Sequence, residues 1–384
     1  MSIAPLASAD VLPLAGRVAD EVVAAHASAV DTHGRFPEEA VTALGASGLL
    51  GILSAADVGG SGLSLREAVD VVERVARACG STGMITCMHY SATAVLEALG
   101  PHQPGLEGVR RDIAAGRHLT TLAFSEVGSR SHFWAPLSTA AIDGDNVVLD
   151  ARKSWVTSSR RADSFVWSSK PVAGDGASTI WLVPNRAAGL SVPAPFDGLG
   201  LRGNDSTAVN AEGVRIPATN RLGPDGGGFD VMMGTVLPWF AALSAGVSVG
   251  IMEAATQKAA AHCAGTGFAH LGANLADLPT IRAYLARMRI RTDQARTLLD
   301  DTVTAITTGR PDTMLRVLEV RASAAENALE VTELAMRVCG GSAFRKEVGV
   351  DRAFRDARAA GVMAPTTDVL YDFIGKALVG LPLF

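Results

Sequence analysis

The apolar period changes twice along this chain, and that order restricts the architectures open to it. From about Leu12 to Leu99, apolar residues recur at spacings of three and four, as in VADEVVAAHASAV, EEAVTALGASGLLGI and LREAVDVVERVARAC, the mark of amphipathic helices. From about Leu119 to Arg221 the period drops to two in short runs such as TTLAFSE, DSFVWSSK and STIWLVP, separated by turns like Asp143-Gly144-Asp145. After Gly226-Gly227-Gly228 the helical spacing returns in four long segments with short connections. This order predicts an α+β multidomain chain: an N-terminal helical domain over 1–118, a central β-barrel-like domain over 119–225 and a C-terminal four-helix bundle over 226–384. Local signals agree. Pro37 followed by Glu38 and Glu39 suits a first helical turn, and Ser64 suits the cap of a helix beginning at Leu65.

Composition narrows the function. Hydrophobic residues are 48% of the chain and charged residues 19%, which excludes a disordered segment and implies extensive burial. The net charge is −5, and Arg110-Arg111 and Arg160-Arg161 are ordinary surface pairs, so no nucleic-acid partner is expected. Cys79, Cys87, Cys263 and Cys339 lack CxxC spacing, which argues against a metal site and against a disulfide framework. There is no uninterrupted apolar run of about 18 residues, and MSIAPLASADVLPLAG has no basic flank. No membrane association and a cytoplasmic location are therefore expected.

Four motifs occur in order. LAFSEVGSRSH (122–132) is similar to A-x-T-E-P-x-x-G-S-D, with Ser125 for the threonine, Glu126 retained, and Val127 and His132 departing from the proline and aspartate. KSWVTSSRRADSFV (153–166) resembles K-x-W-I-T-N-G-x-x-A-D. GLRGNDSTAVNAEGVRIPATNRLG (200–223) resembles G-x-R-x-S-x-T followed by V-x-V-P and N-x-L-G. CGGSAFRKEVGVDRAFRDARAAGVMAPTTDVL (339–370) resembles G-G-x-G, then V-x-R-x-x-R-D-A-R, then I-x-E-G-T-x-E-I. On these motifs the chain resembles the acyl-CoA dehydrogenase superfamily of flavoproteins.

The resemblance implies FAD as cofactor, with FMN or a diffusible reduced flavin as alternatives. It places Phe124 and Ser125 where donors stabilise the negative charge of a reduced flavin. It implies Trp155 over the ring system, Thr157 near N5, and Gly340, Gly341, Thr366 and Asp368 in a flavin site shared across subunits. Taken singly, Trp155 reads as a packed aromatic and Thr157 as an ordinary strand residue. Ser131 matches the serine near a substrate thioester. A homotetramer or homodimer is implied, with a small-molecule substrate that is free or linked to CoA or a carrier protein. An electron-transfer protein or a flavin reductase is the implied partner. Arg352, Arg355 and Arg358, with Asp356, read by themselves as an ion-pair lattice on a helix surface, while the resemblance implies a structural segment bracing the bundle beside the flavin.

The pattern fails at the base. The resemblance offers two positions for the glutamate that removes an α-proton, and here they hold Ala364 and Phe240, the latter beside Pro238 and Trp239. Neither side chain takes a proton, and a positioned base is worth about 10²–10⁴ in rate. Asp368, the nearest carboxylate in sequence, matches a cofactor-contacting glutamate instead. The stretch that grips the FAD phosphates is altered too, with Phe268 at an arginine, Leu271-Gly272 at F-G and Pro279 at a glutamine. His89 and Tyr90, in GMITCMHYSATAVL, are candidates for the acyl side of the pocket, and His89 for catalysis. A histidine in an apolar helix also reads as a satisfied core residue. The leading expectation is a flavin-dependent oxidoreductase acting on an acyl thioester or related carbonyl compound, with a non-standard or absent α-proton base. The alternatives are a two-component flavin monooxygenase of the same fold, acting on a small aromatic, sulfur or amine compound, and a non-catalytic binding protein.

Overall fold

The structure is a computed structural model that describes residues 4–100, 103, 105–130, 132–270 and 272–383. Its N-terminal part runs through α1 (Ser8–Val18), α2 (Ala24–His33), α3 (Glu38–Ala46), α4 (Leu65–Ala78), α5 (Gly80–Leu99) and α6 (Glu107–Ala114). Helix α4 starts where its cap dictates. The Ser64 hydroxyl accepts from the Arg66 amide, while the Glu67 carboxylate reaches back to the Ser64 amide at 3.0 Å. One face of α4 buries Leu65, Val69, Val72 and Val75, and the charged residues fall on the other. Helix α5 is buried on nearly every side, so no amphipathic stripe marks it.

The middle part forms two four-stranded sheets. One has the order β1 (Thr120–Ala123), β4 (Ser164–Ser169), β5 (Thr179–Pro184), β8 (Arg221–Leu222), with β1 and β4 parallel and the other pairs antiparallel. The other is antiparallel, with β2 (Thr139–Asp143), β3 (Asn146–Val156), β7 (Thr207–Pro217) and β6 (Leu190–Ser191). Their inner faces close over Phe165, Trp167 and Trp181 from one sheet and Val147, Leu149 and Val209 from the other. The alternating inward residues are what the period of two requires. A Glu126–Lys153 bridge links the loop after β1 to β3.

The C-terminal part begins with α7 (Gly228–Val231), which passes through a π-helical turn at Met232–Val236 into α8 (Leu237–Gly265). A small hairpin, β9 (Gly267–Phe268) and β10 (Ala273–Asn274), leads to α9 (Pro279–Thr308), α10 (Thr313–Cys339), α11 (Val350–Val362) and α12 (Thr367–Leu378). The run from Gly228 to Gly265 is long and apolar enough to cross a membrane by composition, but 83% of its most apolar window is buried inside the fold. Its burial is against α4, α5 and α10. A Cβ on Gly250 would lie 2.5 Å from the Glu73 carbonyl oxygen of α4, so only glycine permits that crossing. One apolar cluster runs through the N- and C-terminal helices together, while the β part has its own.

Helix α11 carries a correction. Arg355 keeps one pair within the helix, to Asp351 at 3.1 Å, but the segment braces neighbouring elements more than it forms a surface lattice. Arg355 pairs with Asp31 of α2 at 2.6 Å, and Arg358 donates to the Leu329 carbonyl and the Thr332 hydroxyl of α10. Buried Asp356 accepts from the Leu201 amide at 2.6 Å. These contacts fasten three parts of the chain around one junction.

Candidate active site

At that junction lies a cleft of about 550 Å³. The loop after β1 contributes Phe124, Ser125 and Glu126, the end of β3 contributes Ser154 and Trp155, and Thr157 follows. Helix α5 adds Met84 and Met88, the start of α8 adds Leu237 and Phe240, and the α11–α12 link adds Met363, Ala364 and Thr366. The π-helical turn immediately before α8 shifts the helical phase where Val236 enters the cleft wall.

Backbone strain is concentrated here. Among the described residues, the non-glycine positions with positive φ are Arg130, Trp155, Ser158, Leu201 and Asp205. Three of them line the cleft. Such conformations cost on the order of 1–3 kcal/mol each and persist where surrounding contacts enforce them. The contacts are present. The Ser158 amide donates to the Asn204 carbonyl at 2.9 Å, and Asp205 accepts from the Arg160 amide at 2.9 Å and its Nε at 2.8 Å. Trp155 lies in a register shift between Lys153 and Val156, at φ 57°, and its side chain is 70% exposed over the cleft. Its carbonyl accepts from the Ser206 hydroxyl at 3.2 Å, and that hydroxyl is 3.3 Å from Thr157 Oγ1.

Beneath the loop, Glu126 and Lys153 form a buried pair at 2.5 Å. Glu126 also accepts from the Leu137 and Ser138 amides and the Ser138 hydroxyl, and Lys153 donates to the Ser168 carbonyl at 2.7 Å. Burial pushes the Glu126 carboxyl up, but Lys153 and these donors outweigh it and hold the group below the usual carboxylate range. Burial likewise pulls the Lys153 ammonium down to about 8, with Glu126 offsetting part of the shift. Glu126 is the only carboxylate among the described residues that line the cleft, and all of its hydrogen bonds point into the protein.

The structure thus brings Phe124, Ser125, Trp155, Thr157 and Thr366 together with both base positions, Phe240 and Ala364. It does not bring in His89 or Tyr90. Both are fully buried on α5 and bond backbone instead: His89 Nε2 meets the Leu50 carbonyl at 3.1 Å, and the Tyr90 hydroxyl donates to the Leu49 carbonyl at 2.5 Å. The expectation that they face substrate is corrected by this burial. Gly340 and Gly341 are exposed in the turn after α10, and Asp368 is exposed in the first turn of α12, so none of the three lines the cleft of its own chain. Ser131 lies outside the described residues, though its neighbour Arg130 lines the cleft. Phe268 sits in the β9–β10 hairpin, and Leu271 also lies outside the described residues. Asn204 and Ser206 were missed as site residues, although they stand in the quoted GLRGNDST run.

The cleft suits a large flat ring with a polar edge. An exposed indole supplies a face, and the Ser125, Thr157, Ser206 and Thr366 hydroxyls interrupt an apolar lining. The chain belongs to the acyl-CoA dehydrogenase family: the family's N-terminal domain matches residues 10–103, its middle domain 121–214 and its C-terminal domain 226–379. The chain is 28% identical over 368 residues to the probable acyl-CoA dehydrogenase YngJ of Bacillus subtilis, covering 94% of this chain and 95% of that one. Its fold superposes on butyryl-CoA dehydrogenase from Megasphaera elsdenii with a TM-score of 0.90 at 22% identity, covering 97% and 98% of the two chains. FMN-bound TdsC from Paenibacillus sp. A11-2 gives a TM-score of 0.87 at 21% identity, with coverage of 97% and 98%.

Proposed function

We propose that this protein is a flavin-dependent oxidoreductase that admits an acyl thioester or related carbonyl compound but does not remove its α-proton with a carboxylate. The observation that carries this reading is the cleft wall. Both positions where the family resemblance puts a base hold Ala364 and Phe240, and the remaining carboxylate, Glu126, is sealed by Lys153.

Trp155, Ser125, Thr157 and Thr366 would hold the flavin, which supplies a two-electron acceptor when bound. Trp155 offers a flat face at the position its strained backbone dictates. Ser125 and Thr157 offer hydroxyl donors to the polar edge, and the Glu126–Lys153 pair fixes the loop from which Ser125 projects. Met84, Met88 and Leu237 give the cleft an apolar wall that would exclude water from a bound acyl group. Gly340, Gly341 and Asp368 would serve a neighbouring subunit's flavin, as the resemblance implies. Similarity to acyl-CoA dehydrogenases supports a thioester substrate, and an electron-transfer protein or flavin reductase would complete turnover. Phe268 in place of an arginine favours looser phosphate binding, which keeps FMN beside FAD as cofactor.

The missing carboxylate also favours a second reading, a monooxygenase using reduced flavin and dioxygen on a small aromatic, sulfur or amine compound. The test is to titrate purified protein with FAD and FMN and then add acyl-CoA thioesters without oxygen. Bleaching of bound flavin by a thioester supports the first reading. No bleaching, with oxygen consumed when reduced flavin is added, replaces it with the second. Failure to bind either flavin removes both.

A further inference from the structure

The cleft has an arginine behind its wall that lacks a counter-charge among the described residues. Arg321 projects from α10 and is 1% exposed. Its guanidinium carbon lies 5.4 Å over the Phe240 ring, and Nη2 donates a long 3.4 Å bond to the Met363 carbonyl. Its Nε has no partner among the described residues. The contrast with other arginines is plain. Arg110 is paired with Glu97 and Asp57, Arg296 with Glu73 and Glu253, and Arg355 with Asp31, whereas no carboxylate lies within ion-pair distance of Arg321 among the described residues. The nearby titratable group is the buried Cys87 thiol on α5, which burial pushes up to about 12 and so keeps neutral. Burial lowers the Arg321 guanidinium to about 10, which still leaves it positive at neutral pH.

A desolvated cation with one weak bond and an orphaned donor is unfavourable, and replacing such a group by an apolar one is commonly neutral or stabilising. Its two neighbours indicate what it faces. Phe240 and Met363 both line the cleft, so the guanidinium stands one side chain behind the wall. Phe240 is half-buried, and a rotamer change of this one ring would open the way. The surrounding lining is apolar, including Met84, Met88 and Val236, and the cleft's carboxylate is already neutralised by Lys153. An anion arriving there meets the Arg321 fork, deeper and drier than the exposed Arg130 that also lines the cleft, and among the described lining residues no carboxylate besides Glu126.

We infer that Arg321 forms an anion subsite at the edge of the cleft, beside the two base positions, and that the substrate is a short acyl compound carrying a carboxylate close to its α-carbon. This rests on the reading of the cleft as an acyl-thioester site. The planar two-oxygen acid matches the guanidinium fork, and Phe240 acts as the gate that covers the cation until the acid displaces it.

The test compares binding to the flavin-loaded protein of paired short acyl-CoA thioesters of equal chain length, one ending in methyl and the other in carboxylate. Wild type should bind the acid-terminated member at least about tenfold more tightly. Arg321→Met should abolish that preference without lowering the melting temperature, and Arg321→Lys should keep part of it. Equal binding of the pair by wild type, or a preference that survives in Arg321→Met, overturns the inference while leaving the thioester reading intact. A large fall in the melting temperature of Arg321→Met also overturns it, by making the arginine a structural group. Binding of neither thioester overturns both.

Discussion

His89 serves two backbone groups at once. Nδ1 accepts from the Thr120 amide at 3.2 Å, so Nε2 carries the proton that meets the Leu50 carbonyl. Burial pushes its pKa down to about 4 from an ordinary value of 6.5. The folded protein therefore refuses a proton that the unfolded chain accepts. This group's stability contribution is fully present above pH 6.5 and is lost as pH falls toward about 4, a change on the order of 3 kcal/mol. Urea unfolding across that range should show the loss, and His89→Gln should flatten this part of the profile without changing flavin affinity. A neighbouring apolar pattern was the sequence clue to this role, but periodicity alone does not say which polar atoms a buried ring satisfies. Trp155 is the converse. Its strand context reads as packing, and only the left-handed backbone, visible in the structure, turns the indole outward.

At the scale of elements, local chemistry was readable and long-range pairing was not. The Ser64 cap and the α4 stripe follow from neighbours within one turn. In contrast, Arg355 with Asp31, and Asp356 with Leu201, join segments far apart in sequence, so residue spacing alone made DRAFRDAR a surface lattice and only the family resemblance implied a brace. The Glu126–Lys153 pair was hidden for the same reason, although both residues stood in quoted motifs. Lys153→Met should destabilise the β part by about 3–5 kcal/mol in a denaturant titration, because it leaves a buried carboxylate unpaired. Adding Glu126→Leu to that variant should recover much of the loss. With the pair intact, Glu126's depressed pKa contributes stability above the ordinary carboxylate range, and acid removes it as pH falls below that range.

For the whole molecule, the order of periods led to the three-part architecture, because each part buries its apolar face in a different way. It did not show that the first and last helical parts share one core, a consequence of Gly250 and its neighbours meeting α4. The chain's outer surface retains Phe344 at 84% exposure and, near the C-terminus, Leu378 and Val379 at 70% each. Subunit contact is expected to cover such residues. Sedimentation should report a dimer or tetramer, and Leu378→Asp with Val379→Asp should shift it toward monomer. On the proposed reading, the cleft binds a flavin and an acyl group but lacks the base. The most direct test is anaerobic stopped-flow bleaching of bound flavin by a short-chain acyl-CoA, comparing wild type with Ala364→Glu. A gain of about 10²-fold or more in the variant is the expected result. Wild type bleaching as fast as the variant would overturn that reading and require a base not seen among the described residues of this cleft.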